Sequence, residues 1–161
     1  MKNILAGAAI AVALLAPLPG FAADYATIVL EKAVNRTPAQ TWAKIGGYCT
    51  IQDWLKAPCV ITAGDGKSVG TIRRLRDTTD EVMVAQTPYS YTYTQPATTI
   101  LYHGTLAVEP ADGGAHSKIV YTLFYDAAPL ETADKKAADR AARSKRFGDA
   151  LDAMKAMAEA Q

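Results

Sequence analysis

Apolar and polar positions alternate from Tyr25 to Val34, which predicts a first strand. Asn35 to Pro38 read as a turn, with Thr37 placed to cap a helix and Pro38 at its first position. A short helix is expected over Pro38–Ile45, with Trp42 and Ile45 on one face, stopped by Gly46-Gly47. A second helical turn is expected at residues 51–56. From Cys59 onward the period switches to two. Strands are expected at Cys59–Ala63, 69–76, 82–86, 89–95, 99–109 and 117–127, with turns at 64–67, 77–80 and 110–114. Pro88 implies a bulge or two separate ladders between the fourth and fifth. The last stretch lacks proline, and Phe147, Leu151, Met154 and Ala158 recur at helical spacing. With Thr132 as cap and Asp134 in the first turn, a helix over 134–159 would be about 39 Å long. Strands gathered together with helices before and after them indicate an α+β fold. The expected architecture is a curved antiparallel sheet of about six or seven strands wrapped round a long C-terminal helix. Two short helices follow the first strand.

The N-terminal apolar run changes the picture. Lys2 precedes an uncharged stretch at residues 4–18, Pro17 and Pro19 interrupt it, and Gly20-Phe21-Ala22 offers small residues at a cleavage site. A membrane anchor would need about 20 continuous apolar residues. The pattern therefore predicts a secretory signal peptide at residues 1–22, a single domain at 23–161, and a periplasmic or secreted location without a membrane anchor. Cleavage removes Lys2 and no acid, so the formal charge falls from +1 to 0. That balance gives no electrostatic reason to bind nucleic acid or an anionic membrane. Cys49 and Cys59 are the two cysteines of the chain, both in the exported part, and are expected to form a disulfide. No histidine lies near them to suggest a metal site, and their spacing is not that of a redox pair.

Period-two alternation orients the strands. Ile119, Tyr121, Leu123 and Tyr125 share an apolar face expected to meet the long helix. Tyr102, Gly104, Leu106 and Val108 are inward by the same test, leaving His103, Thr105 and Glu109 outside. Tyr89, Tyr91 and Tyr93 share a face, as do Val69, Thr71, Arg73 and Leu75. So many inward phenols, with Arg73 among them, need hydrogen-bond partners or water. Two arrangements satisfy that need: a polar-lined pocket between sheet and helix, or tyrosines at the rim with hydroxyls in solvent. Trp54 and Trp42 are placed to cap such a pocket, Trp42 equally to be core.

In order along the chain, these elements resemble the START-like superfamily of polyketide cyclases, dehydrases and lipid-transport proteins, whose helix-grip domain includes the birch-pollen-allergen type. Several stretches look like its bacterial polyketide-cyclase-like branch. They are Pro38 to Trp42 with Ile45-Gly46-Gly47, then Trp54, and Val69 to Leu75 with its glycine and arginine. Ser90-Tyr91, Tyr102 with Gly104, and Val120-Tyr121-Thr122 with Phe124 follow in order. Tyr121 replaces a more usual tryptophan. The resemblance implies the helix-grip fold and lipid-like or polyketide-like ligands.

The leading expectation is an exported protein that binds or carries a small hydrophobic, aromatic or lipid-like ligand. Trp54, Arg73, Tyr91, Tyr93, Tyr102, Tyr121, Leu123 and Tyr125 would line the site, with Arg73 offered to a ligand oxygen. No cofactor and no metal is expected. A cofactor-independent cyclase or dehydratase is the alternative. It needs an acid–base pair, yet His103 is turned outward, His116 lies by a turn, and no carboxylate falls on an expected inward strand position. A third reading is an accessory protein that binds another exported protein through Lys135, Lys136, Arg140, Arg143, Lys145 and Arg146. The interspersed Asp134, Asp139 and Asp149 suggest instead a solvated helix face.

Overall fold

The computed structural model describes residues 24–160. The leader and cleavage site expected at residues 1–22 lie outside them. Strand β1 is Tyr25–Val34, followed by helices α1 (Pro38–Ile45) and α2 (Ile51–Trp54). Six strands come next: β2 (Cys59–Ala63), β3 (Ile72–Leu75), β4 (Thr79–Thr87), β5 (Ser90–Thr94), β6 (His103–Ala111) and β7 (His116–Asp126). Helix α3 (Ala133–Glu159) ends the fold. The strands form one antiparallel sheet in the order β1-β7-β6-β5-β4-β3-β2. All but β1 are joined as a meander; β1 crosses to pair with β7 along its whole length. The result is the expected curved sheet with a long helix across it. Among the described residues, no helix is long and apolar enough to cross a membrane.

Local chemistry accounts for the ends of the helices. Thr37 Oγ1 accepts from the Gln40 amide while Gln40 Oε1 accepts from the Thr37 amide, a reciprocal capping box. Thr132 Oγ1 accepts from the Lys135 amide at the start of α3. Gly46 ends α1, as expected, but without a left-handed conformation. Its φ is −81°, and the Trp42 ring lies where a Cβ would be, 2.3 Å away. Cys49 and Cys59 are bonded, tying the segment after α1 to the start of β2. Closing so short a loop contributes up to about 3 kcal/mol on the chain-entropy estimate.

The core lies between the concave face of the sheet and the C-terminal half of α3. From the helix come Phe147, Ala150, Leu151, Met154 and Ala158; from β7, Ile119, Tyr121, Leu123 and Tyr125, as alternation requires. Two expected inward residues are outside. Val69 is 54% exposed because the chain turns at Gly70 (φ 92°) before β3 begins, and Tyr89 is 38% exposed in the turn between β4 and β5. Pro88 thus sits in a hairpin turn, and the bulge falls earlier, between Met83 and Ala85.

Gly104 is opposite Tyr93 in the β5–β6 pair, and the hydroxyl end of the Tyr93 ring lies over it. A Cβ at this position would come within 2.4 Å of the ring and its hydroxyl. Tyr93 is buried and its hydroxyl is bonded to that of Tyr121, so displacing the ring would strain that bond. Gly104→Ala is therefore expected to destabilise the protein by about 1–3 kcal/mol, the cost of overpacking a filled core. Urea denaturation checks this; a loss below about 0.5 kcal/mol would show that the ring has room to shift.

Candidate functional site

The β3–β4 hairpin sets the centre of the interior. Arg76 and Asp77 both take left-handed conformations (φ 51° and 59°), and the Thr78 amide returns to the Leu75 carbonyl. The reversal is thus complete earlier than the composition of residues 77–80 suggests, and β4 starts at Thr79. Arg73 and Glu81, each four residues from Asp77, become direct cross-strand partners on the inward face. Glu81 is the buried carboxylate that sequence reasoning missed. The symmetry of Arg73 and Glu81 about the turn was the signal available; the same symmetry pairs Arg74 with Asp80 on the outer face.

Arg73 is wholly enclosed. Its Nε donates to Glu81 Oε2 at 2.7 Å, and Nη2 lies 2.6 Å from the same oxygen but off the hydrogen-bonding direction. Nη1 donates to the Tyr48 carbonyl and, at 3.4 Å, to the Tyr91 hydroxyl. The guanidinium carbon stands over three rings: Tyr48 at 4.2 Å, Tyr93 at 4.9 Å and Tyr91 at 5.5 Å. Gln95 Nε2 donates to the remaining Glu81 oxygen at 2.8 Å. The guanidinium expected to meet a ligand's oxygen meets this internal carboxylate instead. Burial opposes its charge, but the Tyr91 oxygen and Glu81 outweigh that and hold its pKa above the ordinary value.

The phenols are likewise partnered. Tyr93 and Tyr121 share a hydrogen bond of 3.0 Å, and the Tyr48 hydroxyl donates to the Glu81 carbonyl. Burial is the largest influence on each, raising the pKa of Tyr48, Tyr91 and Tyr102 and carrying Tyr93 and Tyr121 well above 10. Tyr125 is pushed up to about 12 by burial and then by Asp139. At neutral pH these groups are protonated, so they donate hydrogen bonds and do not act as bases.

This cluster stands between two cavities. The larger, about 270 Å³, lies under the middle of α3. Its apolar walls come from Ile51, Leu55, Ala57, Leu75, Ile100 and Phe147, and its polar groups from Tyr93, Tyr102, Gln95, Thr79 and Glu81. Arg76, Arg143 and Arg146 complete the lining. The smaller, about 220 Å³, lies beyond Tyr48 and Tyr91, beneath Trp42. Of the residues expected to line a ligand site, Tyr93 and Tyr102 line the larger cavity and Tyr91 the smaller. Arg73, Tyr121, Leu123 and Tyr125 form the packed floor behind them. Trp54 packs edge-on to Tyr121 and faces an outer groove between α2 and α3, where Leu55 and Arg146 also belong to the larger cavity.

The histidines are elsewhere: His103 Nδ1 contacts the Leu101 carbonyl and His116 pairs with Asp112, both at the surface. Among the described residues, no three His, Cys, Asp or Glu side chains are grouped to hold a metal ion. The basic face of α3 is largely answered: Lys135 pairs with Glu131, Lys136 with Asp24, Arg143 with Asp139 and Lys145 with Asp149.

Known structures share this architecture. The protein XoxI from Bacillus cereus is 21% identical, with a TM-score of 0.64 over 84% of this chain and 96% of its own. A protein of Nitrosospira multiformis is 17% identical, with a TM-score of 0.60 over 78% of this chain and 94% of its own. The di-domain ARO/CYC protein BexL of the BE-7585A biosynthetic pathway is 15% identical, with a TM-score of 0.62. That match covers 85% of this chain and 51% of BexL. No curated protein sequence matches the chain. At such identities the solved structures establish the fold alone, whereas the sequence model for polyketide cyclase / dehydrase and lipid transport matches residues 25–159. The chain belongs to that polyketide cyclase / dehydrase and lipid-transport family.

Proposed function

We propose that this is an exported binding protein that holds a small hydrophobic, aromatic or lipid-like molecule in the larger cavity. The observation that carries the reading is the cavity itself. Apolar side chains from α2, β3, the loop before β6 and α3 share its lining with a larger set of polar and charged groups, so that one enclosed space offers both packing surface and hydrogen-bonding groups to orient a ligand. Its volume, about 270 Å³, falls just below the common range of roughly 300–1,000 Å³ and suits a small ligand. Binding is favoured over turnover because the phenols facing it stay protonated and Glu81 is engaged by Arg73 and Gln95. The leader pattern at residues 1–22 and the Cys49–Cys59 bond support export to an oxidising compartment.

Native mass spectrometry of the protein taken from its own compartment, without delipidation, tests both parts. The expected result is a chain beginning at Ala23 that carries a small-molecule adduct. Ile100→Trp, which fills the cavity from a half-buried loop position, should abolish the adduct while leaving the circular dichroism unchanged. An empty wild-type protein that also fails to bind a naphthalene sulfonate dye would overturn the binding reading. A chain still carrying residues 1–22 would overturn export.

A further inference from the structure

Three arginines belong to the larger cavity, and their charges are not equally answered. Arg143 Nε donates to Asp139 at 2.8 Å, and its guanidinium lies over the Tyr125 ring at 4.4 Å. Among the described residues, Arg76 and Arg146 form no ion pair, although both are exposed and both line the cavity. The one acid that lines it, Glu81, is already neutralised from within by Arg73. A chamber with one apolar wall and many polar groups thus opens past two cations that have no ion-pair partner, on a chain whose formal net charge is only +1.

Neither arginine is placed by accident of a mobile loop. Arg76 occupies a left-handed backbone position (φ 51°), which costs a side-chain-bearing residue roughly 1–2 kcal/mol relative to glycine. Its amide is fixed by a 3.0 Å hydrogen bond to the Pro58 carbonyl. Arg146 precedes the buried Phe147 on α3 and stands where the cavity meets the outer groove beside Trp54. An arginine that lines a cavity in a strained turn, and another at its entrance, are positioned to meet something negative.

We propose that the ligand of this site is a small amphipathic organic acid. Its apolar body would sit against Leu55, Leu75, Ile100 and Phe147, and its single oxyanion head would lie at the mouth between Arg76 and Arg146. This rests on the binding reading above and assigns it a charge. At about 30 Å³ per water the chamber has room for about ten non-hydrogen atoms, a bicyclic ring system or a short chain, with the head group outside it. The planar guanidinium fork suits a carboxylate.

A matched pair of probes separates the two claims. Naphthoate and the neutral naphthylmethanol have the same ring and nearly the same volume, and their affinities are read by isothermal titration calorimetry. The expected result is naphthoate binding at least about tenfold more tightly, with the preference shrinking as salt is raised. In Arg76→Gln/Arg146→Gln the preference should fall to about twofold or less while naphthylmethanol affinity is unchanged. Arg140→Gln, exposed on α3 and outside the cavity, should leave the preference intact. Equal affinities in the wild type, or a preference that survives the double substitution, would overturn the acid assignment and leave the cavity reading standing. Binding of neither probe would overturn both.

Discussion

Glu81→Leu is expected to destabilise the protein by about 3–5 kcal/mol, as removal of one partner from a buried ion pair does. The substitution leaves the Arg73 guanidinium with no solvent exposure and no counter-charge. Arginine cannot escape by losing its proton, and the Tyr48 carbonyl and three tyrosine rings compensate a cation only in part. Glu81→Gln keeps an acceptor for Arg73 Nε and should cost less. Arg73→Met/Glu81→Leu should recover part of the loss, because no buried charge is left unpaired, although Gln95 Nε2 and the Tyr48 carbonyl lose their partners. Urea denaturation of the wild type, Arg73→Met, Glu81→Leu and the double variant gives the cycle. A Glu81→Leu cost below about 1 kcal/mol would mean that water reaches Arg73 and that the cluster is not closed.

Alkaline unfolding is the second large effect expected. Tyr48, Tyr91, Tyr93, Tyr102 and Tyr121 all have pKa values raised above 10 in the folded protein, first of all by burial. A raised pKa means that the folded state holds the proton more tightly than the unfolded chain. The stabilisation is therefore complete below pH 10 and is lost as pH rises through the folded values. Each such phenol costs about 1.4 kcal/mol per pH unit above 10. Tyr48, Tyr93 and Tyr121, whose values are carried furthest, together reach about 4 kcal/mol near pH 11, close to the 5–15 kcal/mol that holds a typical domain together, and Tyr91 and Tyr102 add to it. Circular dichroism and phenolate absorbance followed against pH should change in one coincident step near pH 11. Gradual phenolate formation with the dichroism intact would show that the hydroxyls are open to solvent.

What was legible in the sequence was whatever local spacing decides. Thr37 and Thr132 cap their helices, and the β7 face of Ile119, Tyr121, Leu123 and Tyr125 turns inward, because caps and pleats depend on near neighbours. The Cys49–Cys59 bond followed from the number and spacing of cysteines. Glu81 was hidden because its face depends on where the turn ends, and Arg76 in a left-handed conformation moved that end. Val69 and Tyr89 were placed inward because alternation carries no information about the turn at Gly70 or at Pro88. Of the larger cavity, only Tyr93 and Tyr102 were legible, from the alternation along β5 and at the residue before β6. Arg76, Ile100 and Arg146 become neighbours only when α3 lies down across the sheet.

The crossing of β1 to β7 has a consequence for the order of assembly. Every other strand pair can form as a hairpin between chain neighbours, closing short loops. Tyr25 faces Asp126 about a hundred residues away, and such distant pairings slow folding. The first strand to be synthesised is thus among the last to find its partner. Until β7 exists, β1 waits with its backbone unpaired, guarded against mispairing by the charges of Glu31 and Lys32.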